Sequence, residues 1–343
     1  MSNEVIRYGI IGCGGIAHTH AESLMQIKGA KLIGVSGCSA QEPLGFAQKY
    51  GIKSFDSTEL LLKSQEIDAV TICTPSGFHA AIAINAAENK KHAIIEKPLS
   101  LTAKSAKQVV EAFKRNKVTG SVISQLRFSE EIRKAKKLIA DKKLGDIIMT
   151  NLTMKYFRSQ EYYDAGNWRG TWKLDGGGAM MNQGIHGIDM LLFLIGETKN
   201  VYGYIRTLTH NIEVEDNAVA LVEFKNGSLG TITASTSIVP AKNKTIEVHG
   251  TKGTILIEEE RIRYLHIKGE KEYIADDIEQ GDSATSNIIK ASGHIKQLED
   301  FTQSLIEGKP PFVSLEDGMR AVNLITSVYA SSKTNRIYNK KEE

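Results

Sequence analysis

The sequence predicts an N-terminal α/β domain built on a doubly wound parallel sheet and a C-terminal α+β domain with a large, mostly antiparallel open sheet. The chain has 343 residues, which is longer than a domain built on a single hydrophobic core usually is. Its first third alternates short β-branched runs with helical patterns, which is typical of βαβ units. From about residue 124 the strand patterns follow one another at hairpin spacing. We therefore expect domains over residues 1–123 and 124–343.

The elements of the first domain follow from β-branched runs and helical spacing. Apolar residues recur at helical spacing in 78–89 and 102–116, and Thr102 is a suitable N-cap for the second of these helices. The strand candidates are 5–11, 30–35, 68–73, 92–96 and 118–123.

The second domain begins with a polar amphipathic helix over 129–141 and a half-buried strand over 146–157. Turn pairs such as Asn226-Gly227 and Lys252-Gly253 separate the later strands, which favours antiparallel pairing. These strands are 217–224, 228–236, 244–250 and 253–259, and helices are expected near 182–195, 292–307 and 315–332.

Composition and charge exclude several classes of protein. The hydrophobic fraction of 41% and charged fraction of 24% are those of an ordinary globular chain. A net charge of +3, with no basic run interleaved with aromatics, provides no footprint for nucleic acid. Cys13, Cys38 and Cys73 are scattered and odd in number, which argues against a disulfide framework or a zinc site, and we expect no metal. The opening residues lack an apolar signal core and no window is long enough to span a membrane, so we expect a cytoplasmic protein.

A glycine-rich turn after the first strand carries the clearest chemical signal. Gly12, Gly14 and Ala17 form a G-x-G-x-x-A pattern between a strand and a helix, with Gly15 and Ile16 inside it. The first glycine permits the tight turn, the second lets the backbone approach a pyrophosphate, and the alanine packs helix against strand. The motif alone is weak, but its βαβ context predicts a dinucleotide-binding Rossmann domain.

The end of the second strand leaves the choice between NAD and NADP open. The acidic residue that would hold the adenosine ribose is missing, because this stretch reads Val35-Ser36-Gly37-Cys38-Ser39. Small hydroxylated residues leave room for a 2′-phosphate, but no arginine is adjacent to pair with one. We expect NAD and do not exclude NADP.

Further sequence motifs occur between residues 74 and 301. Thr74-Pro75-Ser76-x-x-His79 and Glu96-Lys97-Pro98 each follow a predicted strand. A glycine run, 176–178, precedes Asn182, His186 and Asp189 at regular spacing, and H-x-x-Q-L-x-D-F occupies 294–301. Together with the fingerprint, these segments resemble the glucose-fructose oxidoreductase and inositol dehydrogenase family, called Gfo/Idh/MocA.

The resemblance implies hydride exchange between a nicotinamide and a hydroxyl carbon of a sugar, polyol or sugar nucleotide, in a cleft between the domains. In similar enzymes the lysine of E-K-P contacts the reacting hydroxyl and the histidine of the second-domain helix acts as acid or base, which matches Lys97 and His186. His294 is the alternative base. Cofactor contacts are expected from Gly12, Gly14, Gly15, Ile16, Ala17, Ser36, Ser39, Thr74, Pro75, His79, Glu96, Lys97, Trp168 and Arg169. Substrate contacts are expected from Lys97, Gln125, Tyr156, Arg158, Asn182 and His186.

Asn182 departs from the pattern of the inositol-type relatives, many of which carry Asp at this place. Asparagine can orient a neighbour but cannot take a proton, so inositol itself is a less expected substrate. Asn182 lies one helical turn before His186 and Asp189 lies three residues after it. Either can assist the imidazole, and Asp189 can equally serve a helix surface or an interdomain contact.

Aromatic and arginine residues concentrate just before the glycine run. Tyr156-x-Arg158 is followed by Tyr162-Tyr163 and by Trp168-Arg169, with the second tryptophan at 172. Guanidinium groups suit phosphate or carboxylate and aromatic faces suit sugar rings or bases. The segment is similar to that of family members that oxidise UDP-N-acetylglucosaminuronate-type sugar nucleotides at C3. An aromatic interdomain hinge is the structural alternative.

Other functions stay open at this point. Inositol or aldose dehydrogenases, a dinucleotide-binding regulator without catalysis, and a glycosidase that uses NAD internally all fit the first domain. The retained Lys97 and His186 discriminate against the regulator. Because an antiparallel sheet can present one face to another subunit, we also expect a homodimer or homotetramer built through the C-terminal sheet.

Overall fold

The computed structural model describes residues 5–37, 42–275 and 291–339, and these divide into two compact units. Within these ranges the first unit contains residues up to 125 together with 291–319, and the second contains 126–275 together with 320–339. The sequence-based division assigned all of 124–343 to the second domain, so it did not anticipate that a C-terminal segment returns to the first unit. No helix in the described ranges has both the length and the apolar character needed to cross a membrane.

The first unit is a six-stranded parallel sheet in the order β3-β2-β1-β4-β5-β6, with helices between successive strands. Its strands are β1 (Ile6–Ile11), β2 (Ala30–Ser36), β3 (Lys53–Phe55), β4 (Ala69–Ile72), β5 (His92–Ile95) and β6 (Gly120–Val122). Its helices are α1 (Gly15–Leu24), α2 (Glu42–Tyr50), α3 (Thr58–Lys63), α4 (His79–Glu88), α5 (Ala103–Asn116) and, from the C-terminal part of the chain, Ala291–Glu307, which we number α9 below. The order reverses beside β1, as in a doubly wound fold, so the predicted fold class is confirmed.

Local signals fix several of these boundaries. The Thr102 hydroxyl accepts a 3.1 Å hydrogen bond from the Ser105 backbone N–H, so it is the N-cap predicted for α5. Strands β4 and β5 are buried along their whole apolar runs because helices cover both faces of the sheet. The short strand β3 was not predicted, because three residues are too few to show a periodicity.

Apolar packing explains why the C-terminal segment belongs to the first unit. Leu298 and Phe301 share one buried cluster with Tyr8 and Leu24. The hydroxyls of Tyr8 and Thr302 lie 2.9 Å apart inside it. The amphipathic helix therefore buries its apolar face on β1 and α1.

The second unit is a nine-stranded sheet in the order β14-β13-β12-β11-β7-β10-β9-β8-β15. Every pair is antiparallel except β7 with β10, which confirms a mostly antiparallel sheet. The strands are β7 (Ile147–Lys155), β8 (Thr198–Arg206), β9 (Asn217–Phe224), β10 (Leu229–Ser235), β11 (Thr245–Gly250), β12 (Gly253–Glu258), β13 (Arg261–Ile267), β14 (Tyr273–Ile274) and β15 (Tyr338–Asn339). Its helices are α6 (Glu130–Ala140), α7 (Gln160–Asp164), α8 (Ile185–Ile195) and α10 (Leu315–Thr334). The boundary between the two units falls within α10.

One irregular segment precedes α8. Residues Ala179–Gly184 form a π-helical turn, in which the Gln183 N–H bonds to the Gly178 carbonyl at 3.1 Å. The sequence predicted a single helix near 182–195. Short π-helical segments are uncommon and often mark functional sites.

Candidate active site

The glycine-rich turn divides into a glycine that the fold requires and two that it does not. Gly12 has a φ of +104°, and a Cβ there would lie 2.6 Å from the Cys73 carbonyl oxygen. A Cβ on Gly14 or on Gly15 would meet nothing within 4 Å among the described residues. Gly14 is the N-cap of α1, and Ala17 is fully buried. The exposed glycines therefore suit the close approach of a pyrophosphate to the first turn of α1, and Ile16 lies in that same turn.

The end of β2 is only partly described. Ser36 is fully buried, its carbonyl accepts from the Gly12 N–H at 2.8 Å, and its hydroxyl lies 3.3 Å from Thr58 Oγ1. Ser39 lies outside the described residues. Contacts of these two serines with a dinucleotide stay predictions.

His79 braces the loops that follow β4 and β5. Its Nδ1 lies 2.7 Å from the Pro98 carbonyl oxygen and its Nε2 lies 2.8 Å from the Thr74 carbonyl oxygen. Burial lowers the pKa of His79, and the two carbonyl acceptors oppose that effect. Since both ring nitrogens face backbone oxygens, the geometry gives His79 the task of holding the E-K-P segment rather than that of a direct cofactor ligand.

Thr74 and Pro75 begin the loop after β4. Within the described ranges the Thr74 hydroxyl is buried and has no hydrogen-bond partner. Such an orphaned hydroxyl fits a bound polar group at the carboxyl edge of the sheet. Gln125 also belongs to the first unit, where its side chain lies under Gly293 and its Oε1 lacks a partner among the described residues.

Glu96 points into a buried cluster with two histidines. Its Oε1 lies 2.9 Å from His20 Nε2 and 3.6 Å from His294 Nε2, and its Oε2 accepts from the Lys97 N–H at 3.2 Å. Burial on its own raises the pKa of Glu96, but the imidazole contacts outweigh it and hold the pKa well below its usual range. His294, the alternative base, is only 2% exposed. Burial of this kind suits structural or electrostatic work better than proton exchange with a substrate.

Two buried carboxylates hold the glycine run and the π-helical turn of the second unit. Glu215 accepts from the backbone N–H groups of Gly178 and Met180 at 3.0 and 2.9 Å, and from the Tyr329 hydroxyl at 2.8 Å. Burial raises the pKa of Glu215, against these donors. Asp175, fully buried, accepts from Asn182 Nδ2 at 2.6 Å and from the Gly170 N–H at 2.9 Å. The turn before α8 is therefore anchored at both ends.

Asp189, three residues after His186 on α8, forms an ion pair with Arg127. His186 is half-buried at the second position of α8. Both carboxylate oxygens of Asp189 accept from Arg127, at 2.8 and 2.6 Å, and both side chains are buried. A bidentate pair of this kind is a strong structural tie. Asp189 thus links the start of the second unit to α8, and Asp175 supplies the carboxylate beside Asn182.

The predicted aromatic and arginine residues come together around Tyr162. The Arg158 and Arg169 guanidiniums lie 5.8 and 4.9 Å from its ring centroid, and Arg169 also lies 4.9 Å from the Trp168 ring. The Tyr162 hydroxyl accepts from Gln183 Nε2 at 2.9 Å, which joins the group to the π-helical turn. Within the described ranges Arg169 Nε is buried and has no hydrogen-bond partner.

Tyr156, also assigned to substrate, sits at the buried side of this group. It is 4% exposed, and the Arg158 guanidinium lies 5.9 Å from its ring. Burial raises the pKa of Tyr156 to about 12, so the phenol stays protonated. The sequence placed Tyr156, Arg158, Trp168 and Arg169 in one segment, and the structure brings them into one cluster.

Sequence reasoning missed Asp175, Glu215 and His20. Each comes from a different element, and each acts through a contact far along the chain or through a backbone group. For Asp175 and Glu215 the available signal is a carboxylate at a buried position, because carboxylates are almost never fully buried without partners. That signal appears only once burial is known.

The fold of the first unit defines a class of protein, one that binds a dinucleotide at the carboxyl edge of a parallel sheet. The exposed glycines at the start of α1 and the orphaned Thr74 hydroxyl fit such a ligand. Comparison with known proteins gives the family. Residues 6–124 match the family described as oxidoreductase, NAD-binding Rossmann fold, and residues 132–256 match the GFO/IDH/MocA C-terminal domain.

Several relatives are similar over almost their whole length. The myo-inositol 2-dehydrogenase of Thermotoga maritima is 27% identical over 348 residues, with 96% of each chain covered. The WlbA dehydrogenase of Bordetella pertussis, solved with NADH and UDP-GlcNAcA, is 29% identical with a TM-score of 0.86, covering 98% of this chain and 99% of that one. The WlbA dehydrogenase of Chromobacterium violaceum, also solved with NADH and UDP-GlcNAcA, is 27% identical with a TM-score of 0.88, covering 100% and 98%.

The chain belongs to the Gfo/Idh/MocA family of NAD-dependent sugar and polyol dehydrogenases. It is an oxidoreductase that acts on CH–OH groups and uses NAD as its cofactor.

Proposed function

We propose that this enzyme oxidises an anionic sugar, of the UDP-N-acetylglucosaminuronate type, at C3. The observation that carries the proposal is the placement of Arg158 and Arg169 about one aromatic ring, Tyr162, whose hydroxyl is tied to the turn that bears Asn182. Two guanidiniums in one small cluster suit phosphate or carboxylate groups, and the aromatic faces suit a sugar or a base. The similarity to two dehydrogenases solved with UDP-GlcNAcA supports the same substrate class.

We propose His186 and Lys97 as the two residues of the chemical step. When bound, NAD supplies the ring that accepts the hydride. His186 removes the hydroxyl proton as the hydride leaves, because an imidazole has a pKa near working pH. Cationic Lys97 donates to the same oxygen and stabilises its developing negative charge.

Asn182 orients the site without taking a proton. Its amide nitrogen donates to Asp175 at 2.6 Å, so the side chain has a fixed direction. We propose that this carboxylate and amide pair performs the orienting task that a single Asp performs in inositol-type relatives. The difference in charge distribution is a further reason to expect that inositol is a poor substrate.

A substrate panel with arginine variants tests the proposal. UDP-N-acetylglucosaminuronate should be oxidised with the highest kcat/KM, above UDP-N-acetylglucosamine, which lacks the carboxylate, and above myo-inositol. Arg158→Gln or Arg169→Gln should raise KM for the preferred substrate by about tenfold to a hundredfold, the effect of losing one charged hydrogen bond. Arg115→Gln is the matched control, because Arg115 is an exposed arginine in the last turn of α5, in the first unit.

Two results would contradict the proposal. The first is that myo-inositol is oxidised as fast as the sugar nucleotide and that neither Arg158→Gln nor Arg169→Gln changes the rate. No cofactor reduction with any sugar, despite dinucleotide binding, would favour the regulator instead.

We also propose that the outer face of the second unit's sheet is an interface between copies of the chain. Val219 and Leu221 on β9 are 52% and 60% exposed, and Leu229 on β10 and Met149 on β7 are similarly exposed. Strand register places Leu229 beside Met149 and Tyr204 beside Val219, and between these two pairs Glu223 lies opposite Leu229 and Thr231 opposite Leu221. Leu221→Glu should convert an oligomer to monomers in light scattering, and a monomeric parent protein would refute the interface.

A further inference from the structure

The buried cluster of His20, Glu96 and His294 has no part in the chemistry described above. The three residues come from α1, from the end of β5 and from α9, all within the first unit. Their side chains are 0%, 9% and 3% exposed. Both imidazoles present Nε2 to the same oxygen, Glu96 Oε1.

The geometry determines the charge of the cluster. Among the described residues, Nδ1 of His20 and Nδ1 of His294 are buried without hydrogen-bond partners. A protonated ring would leave a buried N–H donor unsatisfied, which is costly, so each ring carries its one proton on Nε2. Glu96 is then a carboxylate that accepts from the neutral His20 ring at 2.9 Å, and the His294 ring lies 3.6 Å from the same oxygen. The cluster carries one buried negative charge.

A metal ion suits this cluster less well. The ligand atoms lie within 4.8 Å of one another, which is close enough for an ion. Histidines that bind a metal through one nitrogen almost always donate the other N–H to a protein acceptor or water. In the described residues neither Nδ1 has such an acceptor. Hydrogen bonding to Glu96 explains the arrangement without an ion.

Glu96 lies at the carboxyl ends of β4 and β5. Glu96 follows β5 directly, its N–H bonds to the Ile72 carbonyl at the end of β4, and its Oε2 accepts from the Lys97 N–H. Its carboxylate also contributes to raising the pKa of Cys73 at the end of β4, although burial is the larger cause. The carboxyl ends of parallel strands are where such folds bind dinucleotides.

We propose that the buried charge of Glu96 biases the bound cofactor toward its oxidised form. NAD⁺ carries a positive charge on the nicotinamide ring and NADH does not, so a fixed anion favours NAD⁺ and disfavours NADH. It also offsets the cationic side chain of Lys97, the next residue. His20 and His294 are positioning residues that keep Glu96 ionised. The inference rests on NAD binding by the first unit, and it does not depend on the identity of the sugar.

The dissociation constants of the two cofactor forms test the inference. Glu96→Gln should raise the Kd of NAD⁺ and lower that of NADH, so that their ratio rises by on the order of tenfold, the size expected of one unit charge in a protein interior. A tenfold change equals about 30 mV for this two-electron couple. Glu96→Asp should keep the wild-type ratio even if both affinities fall.

Asp68→Asn is the matched control for charge. Asp68 precedes β4 at the opposite end of the parallel strands and pairs with Arg7. Removing its charge should leave the ratio unchanged. If the amide variant of Glu96 does not fold, Glu96→Met removes the charge with a similar volume and no hydrogen-bonding demand.

Equal changes in both constants in the neutral variants would overturn the inference, because a purely structural role weakens both forms together. A stoichiometric divalent metal in the purified protein, lost in Glu96→Gln, would also overturn it. Absence of binding by either cofactor form in the parent protein would instead count against the dinucleotide site itself.

Discussion

Replacing Asn182 by Asp should destabilise this protein, because Asn182 lies against a buried carboxylate. Asn182 Nδ2 donates to Asp175 Oδ1 at 2.6 Å, and both residues are buried. Asn182→Asp puts a second carboxylate in the place of that donor. Two carboxylates this close cannot both ionise, so the folded chain must keep a proton between them.

The size of the effect follows from proton linkage. Because the folded variant binds one proton more than the unfolded chain, its stability falls as pH rises from the ordinary Asp value, about 3.9, to the raised pKa of the pair. The slope is about 1.4 kcal/mol per pH unit at most. Repulsion between two unit charges 2.6 Å apart, at an effective dielectric constant of 20 to 40, corresponds to a loss of about 3 to 6 kcal/mol. Below pH 4 the variant and the parent should be similarly stable.

Denaturant unfolding at several pH values measures this directly. Asn182→Asp should lose stability relative to the parent between pH 5 and pH 8, and its turnover should fall with it. The double variant Asp175→Asn with Asn182→Asp should recover most of the loss, because the new amide can accept from the Gly170 N–H and donate to the new carboxylate. An Asn182→Asp variant that tracks the parent at every pH would show that the two side chains do not share this contact.

Two further predictions concern the cofactor loop and the chemical step. Gly14→Val should abolish NAD binding and leave the free energy of unfolding nearly unchanged, whereas Gly12→Val should lower it by about 2 kcal/mol or more, because Gly12 has a positive φ and a backbone oxygen where the Cβ would be. Calorimetric melting measures the stability of each variant and fluorescence titration measures its NAD affinity. Unchanged NAD affinity in Gly14→Val would show that this loop does not bind the cofactor. His186→Ala should lower kcat by about 10² to 10⁴ and flatten the acidic limb of the pH profile, and Lys97→Met should lower kcat further still. Steady-state rates measured across pH check both expectations. An intact acidic limb in His186→Ala would show that another residue is the base.

Much of the fold was predictable because it is written in short-range patterns. Strand β9 over Asn217–Phe224 was predicted to the residue, because a run of mostly apolar residues ends just before the turn pair Asn226-Gly227. Thr102 was predicted as an N-cap from its type and place alone. By contrast, β8 and β13 were not predicted, and the parallel pairing of β7 with β10 depends on contacts between strands far apart in sequence.

The candidate site was predictable as a set of residue types but not as a set of contacts. The spacing of the motifs identifies Lys97 and His186. It does not show that Asp189 accepts from Arg127, or that Asp175 lies against Asn182. Helical geometry suggested that Asn182 and His186 share a face, but a π-helical turn intervenes. Such partners are set by tertiary packing, which a single sequence does not display.

The most direct test of the account follows the hydride itself. UDP-N-acetylglucosaminuronate deuterated at C3 is incubated with the enzyme and NAD⁺, and the masses of the reduced cofactor and of the sugar product are measured by mass spectrometry. The account predicts deuterium in the reduced cofactor, in equal amount to a 3-oxo sugar nucleotide, and a markedly lower yield of both in Arg158→Gln. Reduced cofactor without deuterium, or deuterium that remains on the sugar, would contradict it.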